Sequence, residues 1–257
     1  MLDAYDISML NGTNKESTNL ARTFLNVKNP NNFEEKGVDW TQGLNGKSQR
    51  FVPYNGAIGK DQLNWLRGTL LAALDAQEKC VVLSHVSLIP GACSISCVVW
   101  NYEEVLPILH NPARHSNNGA TSSATDSGIN EFGPTPVVCC LYGHAHKGGY
   151  RMDRRGIHHI TLQAPLEAVG DELAHATIDL MEDHLVIRGE GRVTSHGKLM
   201  YPCGHESINS SYGVIDELTL ADFMNKTNIC DRAHALDLLM QHDGILSEAQ
   251  KSVGSNL

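Results

Sequence analysis

The sequence predicts an α/β fold, on three observations. Two short apolar runs, Cys80-Val81-Val82-Leu83 and Val137-Val138-Cys139-Cys140-Leu141-Tyr142, have the length and composition of buried strands. A leucine stripe at helical spacing, Leu63, Leu66, Leu70, Leu71 and Leu74, precedes the first of them. After the second run the pattern changes from strand-helix alternation to strand following strand.

Taken in order, residues 2–10 read as a strand. Residues 11–46 are polar, and Asn29-Pro30-Asn31-Asn32 marks a loop within them. The leucine stripe predicts a helix over 61–76, which delivers the chain to a strand over 79–85. A short helix is expected over 102–110. Residues 111–134, dense in Ser, Asn, Gly and Thr, read as a mobile insertion on the loop side of the sheet. The strand over 137–142 runs into a turn at 143–150. Three further strands are expected at 157–163, 174–180 and 184–188, the last two joined across Met181-Glu182-Asp183. Residues 1–202 thus read as one domain and 203–257 as a C-terminal extension with helical stretches at 215–224 and 231–241. Docking helices and a gene-specific appendage are both open for that extension.

Composition excludes several functions. The 257 residues, 41% of them hydrophobic, can fill one sizeable core. A net charge of −9 argues against nucleic acid, whose phosphates need a basic face. The seven cysteines lack paired Cys-x-x-Cys spacing, and Cys139-Cys140 lies inside an apolar strand. Reduced thiols and a cytoplasmic setting are expected. No signal segment and no apolar run of about 20 residues is present, so no membrane span is expected. The sequence carries no signal for an oligomeric state.

The chemistry concentrates in Gly143-His144-Ala145-His146-Lys147-Gly148-Gly149-Tyr150. This run sits at the C-terminal lip of a buried strand, where open α/β sheets collect ligands. The strand over 79–85 also ends in histidine, His85, and in a parallel sheet the two lips converge on one edge. Imidazole is a favoured donor to divalent transition metals. His85 alone reads equally as a strand-end histidine satisfied by the backbone; beside His144 and His146 the metal reading is preferred. Other features are weaker. His158-His159 lies in a strand, so the two rings point to opposite faces. Cys203-Gly204-His205 reads as an exposed segment and Cys93-Ser94-Ile95-Ser96-Cys97 as a loop. Lys147, Arg151, Arg154 and Arg155 form a basic cluster, either a solvated hairpin or a diphosphate attractant.

Ser84-His85 together with Gly143-His144-Ala145-His146 resembles the last two motifs of the calcineurin-like metallophosphoesterases. Tyr54-Asn55-Gly56, Gln62-Leu63-Asn64-Trp65-Leu66, Trp100-Asn101-Tyr102, Gly156-Ile157-His158-His159 and Gly189-Glu190-Gly191-Arg192-Val193 are similar to one branch, the manganese-dependent ADP-ribose/CDP-alcohol diphosphatases. The resemblance runs in order from about Leu2 to about Pro202. It implies an α/β metallophosphoesterase-type sandwich of two β-sheets flanked by helices, incomplete at the N-terminus. The family's N-terminal half supplies an Asp-x-His-type motif, a Gly-Asp motif with a bridging aspartate, and a Gly-Asn-His motif; none stands in this chain.

What the resemblance implies chemically is metal-assisted hydrolysis of a phosphoanhydride in nucleotide diphosphates, with Mn²⁺ as cofactor. By motif position His85 and His144 would bind one ion and His146 the other. Asn55, Asn101 and Tyr102 would contact substrate, in loops where relatives tend to carry Gly-Gly and this chain has Gly56-Ala57. Three neutral imidazoles leave two dications uncompensated, so little activity is expected of the chain alone. Asp3, Asp6 and Asp153 are the first carboxylates to test as substitutes. Two functions stand: the C-terminal part of a diphosphatase, or a catalytically dead remnant that serves as a binding or interaction protein.

Overall fold

The computed structural model describes residues 1–10, 14–114 and 133–202. The first strand, β1 (Ile7–Ser8), is two residues long and pairs antiparallel with β2 (Gly56–Ala57). The strand expected over 2–10 is therefore mostly a turn. Asp3 causes it: its carboxylate accepts the Tyr5 amide at 2.9 Å, a local bond that competes with an extended ladder. Only Leu2 reaches the main sheet, through one parallel bridge to Ser84.

A helix, α1 (Lys15–Lys28), occupies what reads in the sequence as polar loop. Asn14 caps it, its side-chain oxygen accepting from the Glu16 and Ser17 amides. Glu16 in the first turn and Lys28 in the last complement its dipole. Only Ser17, Ala21 and Leu25 are buried, a stripe too narrow and too polar to show as apolar periodicity. Leu25 and Ala21 pack with Phe51, Ala57 and Trp100.

The leucine stripe forms α2 (Lys60–Asp75), with Leu63, Leu66, Leu70 and Ala73 buried. Leu71 and Leu74 are half-buried at the edge of that face. The chain then enters β3 (Cys80–Leu83), and later α3 (Tyr102–His110), which has the expected bounds. The insertion expected over 111–134 lies largely outside the described residues, and the 203–257 extension lies wholly outside them.

The main sheet has the order β3-β4-β6-β5, with β4 (Val137–Tyr142), β5 (Gly149–Met152) and β6 (His158–Thr161). Strands β3, β4 and β6 run parallel, and β5 returns antiparallel on β6. Every residue of β4 is buried, as its unbroken apolar sequence requires of a strand covered on both faces. On one face Val137, Cys140 and Tyr142 pack with Leu66, Leu70, Val105 and Leu109 from α2 and α3. On the other, Val138 and Leu141 meet Leu185, Ile187 and Leu199 of a second sheet. That second sheet is an antiparallel meander of β7 (Ala174–Leu180), β8 (His184–Gly191) and β9 (His196–Met200). The result is the expected α/β sandwich of two sheets.

Candidate metal centre

The parallel pairing of β3 and β4 brings the two histidine lips together. Beyond the strand ends the Gly143 amide still donates to the His85 carbonyl at 3.0 Å, so the lips remain tied. Glycine suits this contact, because a Cβ at 143 would stand 3.2 Å from His85 Nδ1. His144 follows with φ +35°, a left-handed conformation that costs a non-glycine residue energy and collects at functional sites.

The rings of His85 and His144 meet edge-on with centroids 5.2 Å apart. Burial, then the neighbouring His85 and His146 rings, push the His144 imidazole down to about 4. Burial and His146 likewise lower His85. Both are neutral at pH 7, the state in which imidazole carries a lone pair for a metal. His146 is more exposed, and its Nδ1–H donates to the Glu167 carboxylate at 2.8 Å. That bond leaves Nε2 as the open nitrogen, the arrangement by which a carboxylate orients a metal-binding histidine.

Two tyrosines complete the surroundings. Tyr5 lies 5.8 Å from His85 and has its hydroxyl 3.4 Å from His144 Nδ1. Tyr54 stands 5.8 Å from His144, with Trp40 6.2 Å beyond it. Tyr5 and Glu167 are absent from the sequence-based site, and Tyr54 enters it only as part of a motif shared with the diphosphatase branch. The local sequence around Glu167 gives no hint of it, and Tyr5 is masked by the strand-like reading of its segment.

Of the residues expected to bind substrate, Asn55 and Tyr102 are buried and Asn101 is half-buried. Asn55 is 0% exposed. Its amide nitrogen donates to the carbonyls of Arg50 and Ser96 at 2.9 and 2.7 Å, and its oxygen faces His144 Nε2 at 3.0 Å. Asn101 forms a closed pair with the backbone of Ile58, accepting from its amide at 3.0 Å and donating to its carbonyl at 2.9 Å. Tyr102 is buried, with the Arg50 guanidinium 4.9 Å above its ring. Both asparagines thus also act as latches on backbone, Asn55 on the 50 and 96 loops and Asn101 on Ile58.

The weaker candidates resolve in the same way. Both His158 and His159 are buried and satisfied. His158 accepts from the Tyr150 hydroxyl and donates to the Met200 carbonyl, and His159 accepts from the Tyr142 hydroxyl and donates to Asp153. Arg155 is buried and donates to the Gly133 carbonyl, while Arg151 donates to the Pro90 carbonyl. These two arginines tie loops together. Cys97 ends a single 3-10 turn, Ile95–Cys97, and Cys93 lies two residues before it. Cys203-Gly204-His205 lies outside the described residues.

The carboxylates are committed elsewhere. Asp153 accepts from His110 and His159 on one oxygen and from the Arg155 and Ile157 amides on the other. Asp6 accepts from the Gly59 amide and Gln62, and Asp3 from the Tyr5 amide. Among the described residues no group of three or more His, Cys, Asp or Glu side chains could hold a metal ion as it stands. The imidazoles therefore fit a divalent transition ion by donor type and protonation, while an anionic ligand set for an ion pair is missing from the described residues.

A solved dimetal phosphatase from Danio rerio matches the fold with a TM-score of 0.62 at 30% identity, covering 77% of this chain and 55% of that one. The fold is thus that of the metallophosphoesterase class. Within that class the chain resembles the manganese-dependent ADP-ribose/CDP-alcohol diphosphatases. It is 33% identical to the one from Arabidopsis thaliana over 76% of this chain and 55% of the relative. With the Homo sapiens protein it shares 31% over 75% and 48%, respectively. The chain spans about half the length of the curated relatives it matches. No family model matches it.

Proposed function

We propose that this chain carries the histidine side of a metal-dependent phosphoanhydride hydrolase, with ADP-ribose and CDP-alcohols as the substrate class and Mn²⁺ as the ion. The observation that carries the reading is the pair of neutral, edge-on imidazoles of His85 and His144 at the joined ends of β3 and β4, with His146 close enough to lower both. The printed activity of the relatives supports the substrate class. His85, His144 and His146 would hold the metal, which when bound supplies an activated water and screens charge on phosphoryl oxygens. The chain's own contribution is positioning: Gly143 admits the His85 ring, Glu167 orients His146, and Tyr5 and Tyr54 wall the histidines on either side.

No described carboxylate is placed to balance two dications, so turnover requires anionic ligands of the kind that the resemblance assigns to the family's N-terminal half. The expected behaviour follows. The 257-residue chain takes up Mn²⁺ weakly, His144→Ala abolishes that uptake, and neither protein hydrolyses ADP-ribose above background. Joining the N-terminal half of a relative to this chain restores hydrolysis, and His144→Ala in the joined protein removes it. Electron paramagnetic resonance titration with Mn²⁺ and phosphate-release assays check these outcomes. Absence of Mn²⁺ uptake by the wild-type chain would sink the metal reading. A cytoplasmic setting belongs to the same proposal, supported by Cys139 and Cys140, buried as free thiols in β4; cell fractionation checks it. No helix among the described residues is long and apolar enough to cross a membrane.

A further inference from the structure

We propose that Asn55 is a positioning residue of the candidate centre, whose amide oxygen holds His144 in the Nε2–H tautomer and thereby makes Nδ1 the ring nitrogen open to a ligand. That the ligand is a divalent ion rests on the function proposed above; the tautomer does not.

The argument is an accounting of donors and acceptors. Two backbone carbonyls, of Arg50 and Ser96, approach one end of the Asn55 amide at 2.9 and 2.7 Å. Only the NH₂ end can meet two acceptors; the reversed amide would set three oxygens against one another. The other end is therefore the carbonyl oxygen, and it lies 3.0 Å from His144 Nε2. An oxygen can only accept, so Nε2 carries the proton and Nδ1 carries the lone pair.

The remaining bonds of Asn55 keep this arrangement rigid. Its backbone N–H donates to the Val52 carbonyl at 3.1 Å, and its backbone carbonyl accepts from the Ser8 hydroxyl at 3.2 Å. A buried side chain with every polar group matched leaves no second low-energy orientation. On the far side of the imidazole, the Tyr5 hydroxyl reaches Nδ1 at 3.4 Å, a long bond that a competing ligand can displace. The two histidines of the turn then offer opposite nitrogens. His144 offers Nδ1 because Asn55 holds Nε2–H, and His146 offers Nε2 because Glu167 holds Nδ1–H. Outer partners of this kind commonly govern metal affinity by roughly 10–100-fold.

Long-range ¹H–¹⁵N correlation spectroscopy of the imidazoles distinguishes a protonated from a bare ring nitrogen. It is applied to the metal-free 257-residue chain at about pH 8, where imidazoles are neutral. Loss of one signal set in His144→Gln assigns the residue. The expected result is a protonated Nε2 and a bare Nδ1. Asn55→Leu should give a tautomer mixture and a fall of roughly 10–100-fold in Mn²⁺ affinity by titration. A wild-type spectrum with Nδ1 protonated overturns the proposal without any variant having to fold. So does a folded Asn55→Leu chain that keeps the Nε2–H form. A wild-type chain that shows the Nε2–H tautomer but takes up no Mn²⁺ upholds the role of Asn55 and removes the metal reading instead.

Discussion

At the scale of single residues, protonation decides what the candidate centre can do. His144 sits among two other imidazoles in a half-desolvated place, which pushes its affinity for protons down to about 4. An ordinary histidine, near 6.5, would surrender a metal to protons as the pH falls through 6. Competition at His144 should begin only as the pH approaches 4 to 5. The linked effect on stability has the opposite origin. The unfolded chain binds a proton at His144 below about 6.5 and the folded chain does not, so stability is full above that pH and declines as pH falls toward 4. Imidazole titration by NMR, followed at His144, should place it well below the ordinary histidine value near 6.5. A His144 curve at the ordinary histidine value would contradict the burial argument.

At the scale of elements, one buried network ties the helical layer to the sheet. His110 at the end of α3 and His159 on β6 both donate to the same oxygen of Asp153, at 2.8 and 3.0 Å. His159 in turn accepts from the Tyr142 hydroxyl at the end of β4, at 2.6 Å. Burial by itself would raise the Asp153 carboxyl; the bonds from His110 and His159 outweigh it and hold the group below the usual carboxylate range. Asp153 therefore contributes stability that is present above the unfolded carboxylate value, near 3.9, and is lost as pH falls through its lower folded value. Asp153→Asn keeps the shape but removes the charge that two imidazole N–H groups face. It should cost about 3–5 kcal/mol in urea denaturation, the range for breaking a buried charged partner. A loss below about 1 kcal/mol would show that the network is not held by charge.

At the scale of the whole molecule, the main sheet is covered on both faces but ends at β3. Among the described residues that strand pairs only with β4, and its outer side meets just the single Leu2–Ser84 bridge. Leu83 is 43% exposed there. An apolar strand with unpaired backbone groups is a template for self-association. Leu83→Lys should reduce aggregation of the chain, measured by light scattering, while changing stability by no more than about 0.5 kcal/mol. Unchanged aggregation would move the sticky surface elsewhere, with the exposed Leu166 and Val169 next to examine.

The strands β3 and β4, helices α2 and α3, strands β7 and β8 of the meander and the histidines at the strand ends are legible in the sequence, because each is written in local apolar periodicity or in residues at a strand end. Strands β5 and β9 are not, and the strand expected over 157–163 joins the main sheet as β6. Tertiary structure decided the rest. Helix α1 is stabilised by its cap and by a three-residue stripe against Phe51 and Trp100, and neither gives a periodic signal. The resemblance implies substrate contacts for Asn55, Asn101 and Tyr102; the fold buries Asn55 and Tyr102 and pairs Asn101 with the Ile58 backbone. The bond from Asn55 to His144 spans 89 residues, and the one from Asp153 to His110 spans 43. Hydrogen-bond partners at such separations are set by which loops the sheet brings together, and local sequence holds no record of that pairing. The sequence alone thus determined which imidazoles gather, through the strands that carry them. Which ring nitrogen each one offers was settled only by the amide and carboxylate that the fold places behind it.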